Sequence, residues 1–261
     1  MNTRTEIGDC ASEIRFEDIA PGGRVGLLAL ATDLNSETDL RRIFPSGIEI
    51  FTNRVTNANP VTMDNLRAMS GDITRAAAGI LPGYGVDVVI YGCTSGTVAI
   101  GEAQLEKLIR AAHPDTPSTN PITATRNALR AFGAKKISIL TPYTRAVNET
   151  MLAHFLNEGF EVLSIEGFGL DKDLDMTCLP AQAIHNAAIK ACRDEADLLF
   201  ISCTALRSAT AIEALEQKLG KPVVTSNQAI VWHALQLMES PARVEGFGRL
   251  FDLTLNPKGS M

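Results

Sequence analysis

The 261-residue chain is notable first for what it does not contain. It has no run of about 18 apolar residues, so no transmembrane helix is expected. It has no CxxC pair. Its five cysteines, Cys10, Cys93, Cys178, Cys192 and Cys203, are odd in number and widely spaced, which fits neither a disulfide framework nor a zinc-binding pattern. They read as free thiols. No GxxxxGK and no strand–GxGxxG–helix unit occurs, and the glycines of PGGRVG precede a strand instead of following one, so nucleotide-dependent enzymes drop out. Basic charge is short: 24 Lys and Arg stand against 30 Asp and Glu, a net charge of −6. That argues against nucleic acid or an anionic membrane surface as partner, because both require a basic face. A small anionic substrate stays open, since a few backbone N–H groups and one Arg can bind a carboxylate. The N-terminal stretch carries acids and no apolar core, so no secretory signal is expected and the cytoplasm is the expected compartment. The four histidines, His113, His154, His185 and His233, are scattered without metal-ligand spacing, and GLDKDLD lacks the later Gly and Glu of a calcium loop. No metal site and no cofactor is expected.

What is present is 45% apolar residue content, enough for a substantial core, arranged in short apolar runs alternating with helix-compatible segments. Strands are expected over 24–30, 48–55 and 86–92, and again over 135–143, 160–168 and 196–202, with a further one in KPVVTSN. A continuous helix is expected over 63–81, and GLDKDLDMTCLP reads as a polar loop. Alternation of this kind gives parallel sheets with helices on both faces. The expected fold class is α/β, as two similar doubly wound parallel-sheet domains related by a pseudo-two-fold, with the active site in the cleft between them. The expected division is a polar N-terminal arm over 1–22, a first domain over 23–117 with a C-terminal helix over 228–255 packing back on it, and a second domain over 118–227.

One pattern occurs twice. VDVVIYGCTSGT carries Cys93 and Thr94, and ADLLFISCTALR carries Cys203 and Thr204. Each is an apolar strand, a small residue, then Cys-Thr. Ligands of open α/β sheets bind at the C-terminal ends of strands, where both cysteines fall. A helix start after a cysteine favours the thiolate and offers N–H donors. Two thiols facing each other across a cleft suit proton removal from one face of a carbon and delivery to the other. They also suit thiolate addition to a double bond with the second thiol as acid. Neither reaction needs a metal or an organic cofactor. A cysteine at a strand end is equally compatible with a small buried hydrophobe, and a two-domain ligand sensor would keep the cleft without the chemistry. Arg207, close after Cys203, is a candidate for lowering the thiol pKa or binding a carboxylate.

GCTSG and SCTALR at these positions resemble the aspartate/glutamate racemase superfamily, and within it the branch of maleate cis–trans isomerase and arylmalonate decarboxylase. The resemblance covers nearly all of 24–240. It extends to the Asn35-x-Glu37 loop, to TPY at 141–143 and to KPVVTSNQA at 221–229. The set ALATDLNSE, NPVTMDNL, YGCTSG, SCTALR and TSNQAIVWHAL looks closest to the ectoine-utilisation members. The resemblance implies a cofactor-independent isomerase acting on a small dicarboxylate or amino acid, with Cys93 and Cys203 as nucleophile and acid/base. Arylmalonate decarboxylases keep only the second thiol, so both together favour isomerase or racemase chemistry over decarboxylation. By the same resemblance Asn35 binds a carboxylate, Tyr143 lines the pocket, and Thr94, Ser95, Thr204 and Ala205 supply hydrogen bonds to substrate carboxylates. Asp173 (or Lys172) stands where maleate isomerases carry an Asn. An acid there repels a second carboxylate and suits a substrate with an amino or amidine group. A homo-oligomer and a small-molecule carboxylate are the implied partners.

Overall fold

The computed structural model describes residues 7–8 and 14–254; the expectation for Cys10 lies outside them. The first half runs β1 (Gly23–Leu30), α1 (Ser36–Ile43), β2 (Ile48–Val55), α2 (Met63–Ala68), α3 (Ile73–Ala78), β3 (Val88–Tyr91), α4 (Thr94–Ile100), α5 (Glu102–Arg110) and β4 (Ser118–Thr119). The second runs α6 (Pro121–Ala131), β5 (Lys136–Tyr143), α7 (Arg145–Asn157), β6 (Glu161–Leu170), α8 (Asp173–Thr177), α9 (Ala181–Ala191), β7 (Leu198–Ile201), α10 (Ile212–Leu219), β8 (Val223–Thr225) and α11 (Ser226–Leu237). Two four-stranded sheets result, ordered β2-β1-β3-β4 and β6-β5-β7-β8. Every pairing is parallel.

The strand sequences explain this. VVIY of β3 and LLFI of β7 are buried at every position, the pattern of strands covered by helices on both faces. In each sheet the chain runs outward in one direction from its first strand and then returns to the other side of it. The loops after β1 and β3, and after β5 and β7, therefore open a crevice at the switch point, where ligands of such sheets bind.

Several expectations need correction. The helix expected over 63–81 is broken. A 3₁₀ turn at Met69–Gly71 separates α2 from α3, and Asp72 turns out of the helical ladder to accept Thr56 N at 2.7 Å and pair with Arg75. GLDKDLDMTCLP is not all loop: β6 continues to Leu170 and α8 starts at Asp173. Ser118 and Thr119, assigned to the second domain, form β4 and pair with β3 in the first sheet. The helix expected over 228–255 ends at Leu237, since Glu239 adopts φ +51 and Pro241 cannot continue a helix. The chain beyond folds back on α11, with Gln228 Nε2 donating to Phe247 O at 2.6 Å and Trp232 Nε1 to Leu253 O at 2.8 Å.

α11 starts with a capping box between Thr225 and Gln228 and packs on α1, α6, β3 and β4. Its Asn227 donates to Asp39 of α1 at 2.9 Å, and its His233 sits between Thr119 and Asn127. Burial pushes His233 down to about 4, so the ring is neutral and serves packing. No helix among the described residues is long and apolar enough to cross a membrane.

Candidate active site

Cys93 is the N-cap of α4, at the end of β3. Its backbone is extended, and its Sγ accepts the Gly96 N–H at 3.2 Å. Gly96 allows this approach. A Cβ there would lie 2.6 Å from Tyr91 Oη, 2.7 Å from Met69 Cε and 2.9 Å from Cys93 Sγ. Cys203, at the end of β7, is built differently. It has φ +94, a region non-glycine residues rarely occupy, and such strain concentrates at functional sites. Its N–H donates to Ser226 Oγ at 3.0 Å, and the Ala205 N–H supports its sulfur.

The two cysteine loops are tied to each other. Ser226 Oγ also bonds Thr94 Oγ1 at 3.0 Å, and Thr204 Oγ1 donates to Gly92 O at 3.0 Å. Each threonine after a cysteine thus reaches across to the other half. Ser226→Ala removes the acceptor for the Cys203 N–H and strands a buried donor. It is expected to lower stability by about 1–3 kcal/mol, measured by denaturant unfolding.

Both thiols line one cavity together with Ser95, Tyr143, Asp173 and Asn57. Its free space is about 20 Å³ for the centre of a water molecule, on the order of one water's requirement. The roof comes from both halves: Val61 N donates to Asp171 O at 2.6 Å, Asp173 N to Asn59 Oδ1 at 3.3 Å, and Asn57 Nδ2 to Asp173 Oδ2 at 3.1 Å.

Burial dominates the electrostatics. It pushes Cys93 up to about 12, against the pull of the Gly96 N–H and the Ser95 hydroxyl, and the charge on Asp173 adds to the rise. Cys203 is likewise pushed up to about 12 by burial, against the Tyr143 hydroxyl and the Ala205 N–H, with Asp173 and Cys93 opposing its ionisation. Both thiols therefore hold their protons at rest, and ionising one disfavours ionising the other. Tyr143 is buried beside Cys203, and burial raises its pKa well above the usual phenol value, so its hydroxyl stays a neutral donor.

A stability window follows from the thiols. Unfolding returns each to its ordinary value of 9.0. The folded form binds more protons between the two values, so this contribution is complete below pH 9 and is lost as pH rises toward about 12. Denaturant unfolding of the wild type is expected to weaken more steeply above pH 9 than that of Cys203→Ala.

The family model for arylmalonate decarboxylase matches residues 45–251. The chain belongs to the arylmalonate decarboxylase family. It is 31% identical to the arylmalonate decarboxylase of Bordetella bronchiseptica over 139 residues, which is 52% of this chain and 58% of that protein. It is 24% identical to the maleate isomerase of Nocardia farcinica over 87% of this chain and 94% of that one. The solved maleate isomerase of Pseudomonas putida S16 with maleate superposes with a TM-score of 0.81 at 25% identity, covering 87% of this chain and 96% of that chain. The chain thus falls in the branch of the racemase superfamily that its Cys-Thr motifs resemble.

Within this family member, the expected site residues are not all brought together. Ser95, Tyr143, Asp173 and Ala205 line the cavity with the two thiols. Asn35 does not line it, which corrects the expected carboxylate contact. Its amide donates to Asp39 Oδ2 at 2.9 Å, Thr204 O at 3.0 Å and Leu206 O at 3.2 Å, so it braces the second cysteine loop. Thr94 and Thr204 line the cavity, but their hydroxyls are engaged as described and the Thr204 carbonyl accepts Asn35 and Asn227, leaving their backbone N–H groups for a ligand. Arg207 binds Thr177 O at 2.9 Å and Leu179 O at 3.1 Å and holds the end of α8; it is not a cavity residue. Cys178 is exposed and Cys192 half-buried, and neither lines the cavity. Sequence reading missed Asn57, Asp33 and Ser226. Asp33 caps the turn into α1, accepting Asn35 N at 2.7 Å and Ser36 N at 2.8 Å. The Asp three residues before Ser36 was the available signal for it.

Proposed function

We propose that this protein is a cofactor-independent isomerase that uses Cys93 and Cys203 on a small carboxylate, in the manner of the maleate cis–trans isomerases. The observation that supports it is the pair of buried thiols at matched strand ends lining one cavity. The Cys93 thiol, protonated at rest, first gives its proton to solvent, and the thiolate that remains is held by the Gly96 N–H. The sulfur adds to one olefinic carbon while the π electrons take the proton of Cys203 at the other. The former double bond rotates, Cys203 takes the proton back, and the C–S bond breaks to give the trans product and regenerate the Cys93 thiolate. Tyr143, beside Cys203, steadies that thiolate when it forms. Ser95 and the backbone N–H groups after each cysteine are positioned for the carboxylates.

A second reading is favoured by Asp173. The same pair can remove the α-proton of an amino acid with one thiolate and return a proton from the other thiol on the opposite face, giving racemisation. Decarboxylation, the activity for which the family model is named, is less well supported because both thiols are present. A panel of maleate, aspartate, hydantoins, arylmalonates and ectoine-derived amino acids separates these readings by product mass, optical rotation and carbon dioxide release. Turnover of arylmalonate alone, with carbon dioxide lost, would sink the isomerase reading. Ligand protection of the thiols without any turnover would indicate a sensor.

A further inference from the structure

The charge around the cavity is of one sign. Its titratable lining, besides the thiols and Tyr143, consists of Asp33 and Asp173, and no Lys, Arg or His lines it among the described residues. Asp33 is committed to the turn into α1. Asp173 is not committed in the same way. It is 7% exposed, and its Oδ2 accepts the Thr32 hydroxyl and the Asn57 amide, while its Oδ1 makes no hydrogen bond among the described residues. The neighbouring Lys172 is exposed and is not a cavity residue. A carboxylate with one oxygen anchored by neutral donors and the other without a protein partner beside the cavity can take a hydrogen bond from an oppositely charged group on a ligand. No side chain of the cavity supplies that charge.

We propose that Asp173, held by Thr32 and Asn57, is a subsite for a protonated amine or amidinium on the substrate, so that this protein selects ammonium-bearing carboxylates over plain dicarboxylates. The proposal rests on the two-thiol reading of the same cavity and narrows its substrate class. The placement has a second consequence. Asp173 lies near enough to both sulfurs for its charge to oppose the ionisation of each. An ammonium seated on it cancels that field and favours the thiolate, whereas a dianion adds to the repulsion. The selected substrate is then also the one that activates the thiols.

Binding tests this separately from turnover. Wild type, Asp173→Asn and Cys93→Ala are titrated calorimetrically with maleate, succinate, aspartate and 2,4-diaminobutyrate, and the probes are scored for protection of the wild-type thiols against iodoacetamide. At least one amine-bearing probe is expected to bind wild type about 10- to 100-fold more tightly than maleate, the range for a charged hydrogen bond. Asp173→Asn is expected to erase or invert that ratio, and Cys93→Ala to retain it. The proposal is overturned if maleate or succinate binds wild type as tightly as every amine-bearing probe, if no amine-bearing probe binds, or if folded Asp173→Asn keeps the wild-type ratio. Should Asp173→Asn fail to fold, the wild-type ratio still decides. Amine selectivity without any turnover would leave this subsite standing and remove the isomerase reading; turnover of maleate with no amine preference would do the opposite.

Discussion

Replacing either Cys93 or Cys203 with alanine is expected to lower kcat/KM on the true substrate by about 10²–10⁴-fold, the range for removal of a positioned acid or base. The double variant is expected to be little worse than either single one, because groups that act on one proton-transfer sequence fail together. The structure supplies the reason. Each sulfur has its own supporting N–H, from Gly96 and from Ala205, and both open on one cavity. Neither can stand in for the other. The two positions should differ in their structural response. Cys93 occupies an extended N-cap conformation that alanine also adopts. Cys203 holds φ +94, which alanine does not relieve and glycine does. Cys203→Gly should therefore match Cys203→Ala in stability to within about 1 kcal/mol, although it removes one more carbon from a packed site, while being equally inactive. Steady-state kinetics with denaturant unfolding checks both halves of this expectation. Turnover at the wild-type rate by either alanine variant would rule out a two-thiol mechanism.

Gly96→Ala is expected to have the second largest effect. Its added methyl group would meet Tyr91 Oη, Met69 Cε and Cys93 Sγ, all inside 3 Å. Tyr91 and Met69 are both buried, and Tyr91 Oη already bonds Met69 Sδ at 3.8 Å, so neither can swing into solvent. Either the first turn of α4 shifts or the thiol does. Overpacking of this kind costs about 1–3 kcal/mol. Displacement of the reacting sulfur by about 1 Å costs on the order of 10²-fold in rate. Gly101 provides the control. It lies at the other end of α4, with nothing near a Cβ, and its φ of +92 puts any penalty in the backbone alone. Gly101→Ala should lose stability without a matching loss of kcat. Equal kcat losses in the two variants would mean that crowding at the Cys93 sulfur is not what Gly96 prevents.

Much of this protein is written in local sequence. Apolar runs such as VDVVIYG and ADLLFIS set strands because they must be covered on both faces, and their alternation with helical segments sets two parallel sheets of one topology. The repeated Cys-Thr at strand ends marked both thiols, since strand ends of such sheets are where loops meet a ligand. Asp173 stood out as an acid among groups meant for carboxylates. What sequence left open depends on contacts between distant segments. Thr32 and Asp173 are 141 residues apart, and Asn57 and Asp173 are 116 apart, yet they meet in the roof of one cavity. Asn35 is legible as a polar residue in a binding loop, but its partners are not: its amide is engaged by three acceptors from α1 and the second cysteine loop. The C-terminal helix is shorter than the expected 228–255, because apolar periodicity does not register the fold-back that Gln228 and Trp232 anchor. Sequence alone determined that two thiols sit at equivalent strand ends of a duplicated α/β scaffold. Only the tertiary structure decided that they share one cavity with a carboxylate oxygen that no described protein group engages, because burial and pairing are properties of the surroundings that the packed chain creates.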